Sequence, residues 1–571
     1  MRDTLKWIYS VYRRNKKGIL ISLFFAVLAS LAGIVTITLY YPTLAVFTGA
    51  NAKNSIGYKL LKYVGITLDA QPSLFLLIGL LISLQILRTV FLVISRIVSN
   101  RYEYEFIFRL KKEFLRQFTL CKWIYIIQTK SGRLLNTFTT HTTQASKAVY
   151  CLVESMVAMV ESLAGLCFAF FVSPHLAAVL ILFAVILTPT LRLIHNHIRY
   201  LVNKRIKLQN ELSNKFIEYF SGFKTFKSMA LESLYLNEIN SDLHSFTRNE
   251  KRAYRVQILL NQSTEPIFFL LGAVFLLIAH YWFSVGMEAI VIFFALIHKI
   301  TSQLKILQVN MGRFVTNIPS ISECDAIEHK MLSAAEKHEG EELSGRIHKI
   351  EAKNLSFSYP DGTVVFKNIS FEINCDKSLI ALYGPSGIGK STLLDILSGL
   401  IEPSEGSCLI NNVPVTDLNI HELRKRMGFV PQNPILFNRS LIENISLRPG
   451  TDVDMDQIIS SARMADAHGF IGELSAGYNT IIGNEGTCLS QGQIQRISIA
   501  RALYQNPEIL FCDEPTSALD NNTANEIIAI LRKISQRYPV FIISHDVDIL
   551  RRADQAIILD KEAVSLIQQK E

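Results

Sequence analysis

Residues 384–392 carry the most specific chemistry of the sequence. They fit the pattern G-x-x-x-x-G-K-[ST], with an apolar run typical of a buried strand before them and a helical pattern after them. Glycines there let backbone N–H groups point at phosphate oxygens. Lys390 would reach the β- and γ-phosphates of a nucleotide, and Ser391 would hold Mg²⁺. The competing interpretation is a chance match in a glycine-rich turn.

Two other apolar runs end in chemically useful groups. Residues 508–512 lead into Asp513 and Glu514, and residues 540–543 lead into a serine and His545. Ligands of open α/β sheets bind at the carboxyl ends of parallel strands, so we expect the three runs to be adjacent parallel strands. Asp513 would hold Mg²⁺ and Glu514 would polarise the attacking water as general base. Simple turn capping by these side chains is the alternative.

The composition separates the chain into two halves. It is 49% hydrophobic and only 19% charged, but the long charge-poor runs end near residue 310 and a globular pattern begins near residue 345. We attribute the net charge of +9 to basic loops on one side of a membrane rather than to nucleic-acid binding, because the basic residues concentrate in the first half. The eight cysteines show no C-x-x-C or zinc-like spacing and are expected to be free thiols.

The first half predicts six membrane spans, each about 20 apolar residues long. The charge-free stretch 18–52 contains the first, and lysines interrupt the inner half of the sixth. The spans are expected near 18–42, 72–97, 152–172, 176–195, 258–280 and 285–306.

Loop charge predicts the orientation of these spans. The segments 101–147 and 199–255 are rich in lysine and arginine, whereas the short loops 173–175 and 280–286 carry neither. Positively charged loops stay on the cytoplasmic side, so both termini and the second half should be cytoplasmic. The two long loops keep a helical period and predict helical hairpins, which either carry force from a soluble motor or are passive linkers. We expect a domain at 1–320, a linker at 321–345 and a soluble domain at 346–571.

The motifs together resemble those of ABC transporters, and the whole chain is similar to an exporter-type half-transporter such as bacterial lipid flippases and multidrug or peptide exporters. The resemblance implies an all-α six-helix transmembrane domain with long cytoplasmic helical extensions. An α/β P-loop NTPase with a helical subdomain, the ATP-binding cassette, would follow. It also implies a multi-pass protein of the bacterial cytoplasmic membrane.

The resemblance assigns roles residue by residue. Tyr359 matches the aromatic residue that stacks on adenine, and Gln432 matches a glutamine that contacts Mg²⁺ and the attacking water. His545 matches the switch histidine, and Asp520 belongs to the loop that follows the catalytic glutamate, Glu514. The nucleotide-binding loop is Gly384, Pro385, Ser386, Gly387, Ile388, Gly389, Lys390, Ser391 and Thr392, and the family signature is Ser490, Gln491, Gly492 and Gln493.

Two segments depart from the family pattern. Gln491 replaces the first glycine of the usual Leu-Ser-Gly-Gly-Gln, which favours pairing with a different half-transporter. Residues 483–486 read Gly-Asn-Glu-Gly where Gly-Glu-Arg-Gly is usual, which affects a contact between domains.

The mechanism implied by the resemblance is dimeric, with ATP held between the loop of one subunit and the signature of the other. The partner is a second copy or a related half, and Mg²⁺ accompanies ATP. The substrate is a small molecule, a lipid or a peptide. An ATP-gated channel or sensor is an alternative, whereas six spans exclude a soluble ATPase acting on nucleic acid. Polar groups in or near the spans either line a substrate cavity or pair for structure: Gln85, Arg88, Glu154, Glu161, Glu265 and His298.

Overall fold

A computed structural model of the chain describes residues 2–48, 55–63, 72–129, 131–172, 214–282, 287–336, 339–450, 453–483, 489–560 and 564–568, with isolated positions between 174 and 212. These residues form two compact units. The helical unit comprises Met1–Thr119 and Ser131–Lys330, and the cassette unit comprises Leu120–Lys130 and Met331–Glu571.

The first part of the chain is helical. A π-helical turn, Thr137–His141, interrupts it between α5 and α6. The helices are α1 (Arg2–Thr48), α2 (Ile56–Tyr63), α3 (Pro72–Thr119), α4 (Trp123–Gln128), α5 (Ser131–Asn136), α6 (Thr142–Val172), α7 (Phe223–Ser228), α8 (Glu232–Trp282) and α9 (Met287–Ser333).

Three helical stretches among the described residues are long and apolar enough to cross a membrane: Lys17–Val46, Leu74–Thr119 and Gly132–Val172. They contain the first and third predicted spans and, from residue 74 onwards, the second. The predicted spans near 258–280 and 285–306 fall in α8 and α9, apart from residues 285–286. The span predicted near 176–195 lies outside the described residues. Both α3 and α8 continue well beyond the predicted spans, as the helical period of the long loops indicated.

Small polar side chains join α1 to α3. Ser22 Oγ lies 2.9 Å from Ser95 Oγ and 2.7 Å from Ser99 Oγ, and Ser95 Oγ donates to the Ser22 carbonyl at 2.9 Å. Serine lets two helices approach closely and hydrogen-bond where the surroundings offer no water. This contact holds the first two predicted spans side by side.

The carboxylates of α6 pair with arginines of α3. Arg88 Nη2 lies 3.6 Å from Glu161 Oε2, and Arg96 Nε lies 4.0 Å from Glu154 Oε2. The contact of Arg88 with Glu161 agrees with the interpretation that some polar groups of the spans pair for structure. The side chain of Glu265 lies outside the described set, and His298 is exposed.

The segment 321–345, predicted as a linker, begins as helix. Helix α9 continues to Ser333, and Ile321, Ile327 and Met331 are buried within it. The first part of the predicted linker is therefore helical.

Residues 120–130 belong to the cassette unit, although the sequence placed them within the first domain. Lys122 N–H donates to the Ala334 carbonyl at 2.8 Å, and Glu336 N–H donates to the Leu120 carbonyl at 2.7 Å. Lys122 Nζ also donates to Glu402 Oε1 at 2.8 Å. These contacts attach α4 to the cassette. They cannot be predicted from local sequence patterns, because the partners lie far apart in the chain.

The cassette unit is an α/β domain with two main sheets. An antiparallel sheet has the order β2-β1-β4-β5, and a mostly parallel sheet has the order β12-β11-β3-β10-β9-β6. The strands are β1 (Lys349–Ser358), β2 (Val364–Asn374), β3 (Leu379–Tyr383), β4 (Glu405–Ile410), β5 (Val413–Pro414), β6 (Met427–Val430), β7 (Arg439–Ser440), β8 (Ile481–Ile482), β9 (Ile509–Cys512), β10 (Val540–Ser544), β11 (Gln555–Leu559) and β12 (Val564–Gln568).

Helices pack on both sides of the parallel sheet. They are α10 (Lys390–Leu397), α11 (Ile420–Lys425), α12 (Leu441–Ser446), α13 (Met455–Met464), α14 (His468–Glu473), α15 (Gln491–Tyr504), α16 (Asn521–Ser535) and α17 (Val547–Arg552). One core, which includes Phe511 and Phe541, lies between α10 and the two sheets. A second core, which includes Ile497 and Leu531, joins the opposite face of the parallel sheet to α12–α16.

Gly406 allows β4 to approach β1. Its φ is +78°, and a Cβ there would overlap the Asn354 carbonyl oxygen. Gly406→Ala should lower the free energy of unfolding by roughly 1–3 kcal/mol from backbone strain alone, and the steric overlap adds to this loss. Thermal unfolding of the full chain measures the effect.

The control is Gly472→Ala in α14, where an added Cβ meets nothing within 4 Å. This variant should melt at or slightly above the wild-type temperature because alanine favours helix. Equal melting temperatures for the two variants would contradict the proposed approach of β4 to β1.

Candidate active site

The parallel sheet brings the three predicted strand ends together. Strand β10 lies between β3 and β9 and is parallel to both, with Ser544 opposite Tyr383 and Ile542 opposite Cys512. This arrangement confirms the three runs as adjacent parallel strands. The residues that follow each strand therefore lie at one edge of the sheet.

The loop between β3 and α10 is shaped by its glycines. Gly387 and Gly389 adopt φ values of +79° and +101°, which favour glycine, and Gly389 caps the N-terminus of α10. A Cβ on Gly384 would lie 2.6 Å from the Leu559 carbonyl oxygen, so β11 closes one side of the loop. Pro385 and Ser386 are exposed and Ile388 is half-buried.

Lys390 is buried inside this loop. Its ammonium donates to the carbonyl oxygens of Gly384 at 2.9 Å and of Pro385 at 3.0 Å. It also lies 4.0 Å from Glu514 Oε1. The loop thus wraps around a positive charge that points toward the strand ends.

Ser391 joins the loop to the end of β9. Its Oγ donates to Asp513 Oδ1 at 3.0 Å. Burial raises the pKa of the Asp513 carboxyl, and the hydrogen bond from Ser391 counteracts the rise. A hydroxyl and a carboxylate in contact are the oxygen donors that Mg²⁺ prefers. On donor chemistry, these two residues fit a magnesium site.

Glu514 makes the most contacts at this edge. Gln432 Nε2 donates to its Oε2 at 2.8 Å, and His545 Nδ1 lies 3.8 Å from its Oε1. Its φ of +40° is left-handed, a conformation that strains a residue with a side chain. The turn is held because Ser517 N–H and Oγ both donate to the Glu514 carbonyl, at 3.2 and 3.1 Å. This strained backbone orients the Glu514 carboxylate, which lies close to three predicted residues, Lys390, Gln432 and His545.

Tyr359 reaches the same loop from the other sheet. Its hydroxyl lies 3.0 Å from Thr392 Oγ1, and its ring meets the Phe357 ring edge-on at 5.1 Å between centroids. The half-buried ring therefore stands beside the start of α10.

The polar contacts of the signature residues Ser490 and Gln493 lie at the start of their own helix. Ser490 caps α15: its Oγ accepts from Gln493 N–H at 3.2 Å, and Gln493 Oε1 accepts from Ser490 N–H at 2.9 Å. A Cβ on Gly492 would lie 2.5 Å from Thr523 Cγ2. Gln491 is exposed at the first turn. Residues 484–486, whose departure from the family pattern was noted, lie outside the described set.

Asp520 caps the neighbouring helix, α16. Its carboxylate accepts from Thr523 Oγ1 at 2.7 Å and from Thr523 N–H at 3.2 Å. These hydrogen bonds lower the pKa of the Asp520 carboxyl. The same threonine therefore contacts both Gly492 and Asp520.

Sequence reasoning missed Arg501. This arginine donates to the carbonyl oxygens of Ile435 at 3.0 Å and Asn444 at 2.8 Å, and it lies over the Phe437 ring. It ties α15 to the chain that follows Gln432. A single arginine within the apolar run 497–504 was the available signal.

Asp395 was also missed. It lies on α10 one turn after Ser391, and burial raises the pKa of its carboxyl to about 7, with a further contribution from the charge of Asp513. Its position one helical turn from a predicted magnesium ligand was the sequence signal.

Two family models match the chain, one in each half. The family model described as ABC transporter matches residues 366–517, and the model described as ABC transporter transmembrane region matches residues 19–304. The chain belongs to the ABC transporter family. The first match includes the loop 384–392, Gln432, the signature and Glu514.

Curated relatives of this ABC transporter include exporters from distant organisms. It is 37% identical over 259 residues to multidrug resistance protein 3 of Entamoeba histolytica, covering 44% of this chain and 20% of the relative. It is 42% identical over 232 residues to the alpha-hemolysin translocation ATP-binding protein HlyB of Escherichia coli O157:H7, covering 40% and 33%. The ABC transporter ATP-binding protein YknU of Bacillus subtilis is 32% identical over 374 residues, covering 62% and 60%. The transporter thus spans 20% of the length of the first of these relatives and 60% of the last.

A solved structure shares the fold along the chain. It is described as a bacterial Atm1-family ABC exporter with ATP bound, and it matches 97% of this chain and 95% of its own with a TM-score of 0.79. The two sequences are 22% identical. The likeness supports a helical membrane domain followed by an α/β cassette.

The raised pKa of Asp395 makes stability depend on pH. Its folded pKa of about 7 lies above the ordinary aspartate value of 3.8, so the folded protein loses stability as pH rises between these values. Asp395→Asn removes the ionisation. Its advantage over wild type should grow by about 2 kcal/mol between pH 5 and pH 8. Thermal unfolding of the nucleotide-free chain at both pH values measures it.

The control is Asp376→Asn, at an exposed position before β3. Its melting temperature should differ from wild type by the same amount at both pH values. A constant difference for Asp395→Asn as well would show that this carboxyl does not titrate as inferred.

Proposed function

We propose that the chain is one half of a dimeric ATP-driven exporter or flippase for amphipathic substrates. The observation that carries the proposal is the meeting of Lys390, Gln432, Asp513, Glu514 and His545 at one edge of the parallel sheet. Lys390, Asp513 and Glu514 were predicted from motifs and strand ends, and the roles of Gln432 and His545 from the family resemblance. ATP hydrolysis requires a phosphate-binding cation, a metal-binding carboxylate and a group that orients water, and this edge offers all three.

Nucleotide binding is assigned to the loop and to Tyr359. The N–H groups of the loop and of the first turn of α10 would face the phosphates, and Lys390 would exchange its carbonyl partners for phosphate oxygens. The ring of Tyr359 would stack on adenine, since its hydroxyl already contacts Thr392 at the same loop.

Mg²⁺ is assigned to Ser391 and Asp513, with Gln432 completing the set. The contact between Ser391 Oγ and Asp513 Oδ1 supports the first two ligands. Bound Mg²⁺ would neutralise charge on the β- and γ-phosphate oxygens. Gln432 offers its amide oxygen for this role, because its Nε2 donates to Glu514.

Glu514 is assigned the general-base role. Its carboxylate is mostly buried and is oriented by Gln432 and by its own strained backbone. A base must lie within hydrogen-bonding reach of the water it activates, and a fixed carboxylate beside the buried Lys390 meets that requirement. His545 would contact the γ-phosphate from the third strand end.

We propose that a second subunit covers the signature residues 490–493. Ser490 and Gly492 at the start of α15 would face ATP bound to the partner, which is a second copy of this chain or a related half-transporter. The glutamine at position 491 favours the related half.

The surface around α7 supports an assembly as well. Tyr219 stacks on Tyr235 with centroids 4.3 Å apart, while Phe220, Met229 and Leu234 are exposed. Clusters of exposed apolar side chains mark interaction surfaces. We assign this exposed apolar surface around α7 to a contact with the partner's cassette.

We infer the substrate class from the names of the relatives and from the apolar helices of the first half. The relatives are named for multidrug resistance and for the translocation of toxins. We propose that the chain spans the bacterial cytoplasmic membrane with its termini and cassette in the cytoplasm. It would move a small amphipathic molecule, a lipid or a peptide outward.

Replacement of the general base tests the hydrolytic mechanism. Glu514→Gln keeps the size of the side chain but removes its basicity, so hydrolysis should fall by about 10²–10⁴-fold. ATP binding should persist, because Lys390 and the loop are intact. The measurement is ATP turnover and nucleotide binding of the full chain in lipid vesicles.

The matched control is Glu473→Gln, at an exposed position that ends α14, which should hydrolyse ATP at the wild-type rate. Wild-type turnover by Glu514→Gln would overturn the catalytic assignment. Turnover by the wild-type chain alone supports a homodimer, whereas turnover only after a related half is added supports a heterodimer.

A further inference from the structure

Helices α15 and α16 of the cassette begin side by side. Gly492 is buried in the first turn of α15, and Thr523 is half-buried in the first turn of α16. A Cβ on Gly492 would lie only 2.5 Å from Thr523 Cγ2, so the threonine methyl group takes the space of a side chain at position 492. One turn further along both helices, Arg496 Nη2 donates to Glu526 Oε2 at 2.6 Å. The two helices therefore contact each other over their first two turns.

The hydroxyl of Thr523 holds this methyl group in place. Thr523 Oγ1 donates to Asp520 Oδ1 at 2.7 Å, and Thr523 N–H donates to Asp520 Oδ2 at 3.2 Å. The hydroxyl and the methyl group share one Cβ, so a single torsion angle moves both. A rotation that took Cγ2 away from Gly492 would also withdraw Oγ1 from Asp520. One side chain thus fixes the distance between Gly492 and Asp520.

Asp520 is in turn connected to the proposed general base. It follows Glu514 by six residues. Two hydrogen bonds close the turns between them, because Ser517 N–H donates to the Glu514 carbonyl and Leu519 N–H donates to the Thr516 carbonyl, both at 3.2 Å. The turn that carries the general base and the helix that carries the signature therefore meet at the threonine that Asp520 binds.

We propose that Thr523 is a positioning residue for ATP hydrolysis, which sets the signature against the loop after Glu514 and requires glycine at position 492. This inference rests on the proposed dimer, in which the signature faces ATP bound to the partner. Within each subunit, Thr523 would then hold the signature that binds one nucleotide in a fixed relation to the base that hydrolyses the other. Glycine at position 492 is needed for packing inside the subunit, whatever else it contacts.

A pair of substitutions tests the methyl contact. Gly492→Ala should lower kcat for ATP by about tenfold or more, because its Cβ overlaps a methyl group that cannot rotate away. Thr523→Ser removes that methyl group and keeps the hydroxyl. Gly492→Ala combined with Thr523→Ser should therefore recover to within about threefold of Thr523→Ser alone. The measurement is ATP turnover of the full chain in lipid vesicles, with a related half added where turnover needs it.

The matched control places the same glycine substitution at an open position. A Cβ on Gly469 in α14 meets nothing within 4 Å. Gly469→Ala and Thr523→Ser should therefore act additively on kcat, within about twofold. Additivity for Gly492→Ala and Thr523→Ser as well would show that the two side chains do not compete for one space, and would overturn the proposal.

The hydroxyl is tested separately by Thr523→Val. Valine keeps a methyl group toward Gly492 but sets a second one against the Asp520 carboxylate, where the donor was. We expect kcat to fall by roughly five- to tenfold. KM for ATP should stay unchanged, because the loop 384–392 is intact. Thr523→Ser, which keeps the donor, should retain most of the kcat that Thr523→Val loses. A purely structural role would lower the melting temperature of both variants without this difference in kcat.

The outcomes distinguish this inference from the proposed function. Wild-type turnover that does not depend on Glu514 would overturn the export proposal itself. Glu514-dependent turnover in which Thr523→Ser fails to restore Gly492→Ala would overturn the positioning role alone. If Gly492→Ala does not fold, the comparison of Thr523→Val with Thr523→Ser decides, and equal kcat values for these two variants would refute the inference.

Discussion

The hydrogen bond from Ser391 to Asp513 is the contact on which the cassette site depends. It joins the first turn of α10 to the end of β9, across the intervening strand β10. Ser391 lies on α10 and Asp513 follows β9, and both elements border the core that includes Phe511 and Phe541.

Charge is arranged closely around that hydrogen bond. Lys390 is the buried cation of the site, and Asp513, Glu514 and Asp395 are the nearby acids. Burial raises the pKa of Asp395 and Asp513, because the ionised carboxylates are poorly solvated there and lie close to other acids. Such a cluster is unfavourable by itself and favours a bound cation, which is consistent with the proposed magnesium site.

The helical unit must instead stabilise buried charges where little water is available. Its predicted spans offer no water to a buried charge, so polar groups are satisfied by neighbouring helices: serines join α1 to α3, and arginines of α3 face carboxylates of α6. Among the described residues of this unit, four buried polar atoms make no hydrogen bond: Ser30 Oγ, Arg88 Nε, Gln117 Oε1 and Glu154 Oε1.

Residues 120–130 show how sequence position can mislead. They lie between two helices of the helical unit, yet they hydrogen-bond to residues 334–336 and to Glu402. The short helix α4 is thus part of the cassette unit.

The sequence alone predicted the three adjacent strands β3, β9 and β10, the loop 384–392 and the place of Glu514 after a strand end, since each depends on local patterns of apolar residues, glycine and charge. It identified Glu161 and Arg88 as important but not as partners. Tertiary structure decided what lies far apart in the chain: the pairing of α6 with α3, the attachment of 120–130 to the cassette, the strained turn at Glu514 and the burial of Asp395. The physical reason is that periodicity reports which face of an element is buried, whereas pKa shifts, ion pairs and unsatisfied donors depend on which other element covers that face.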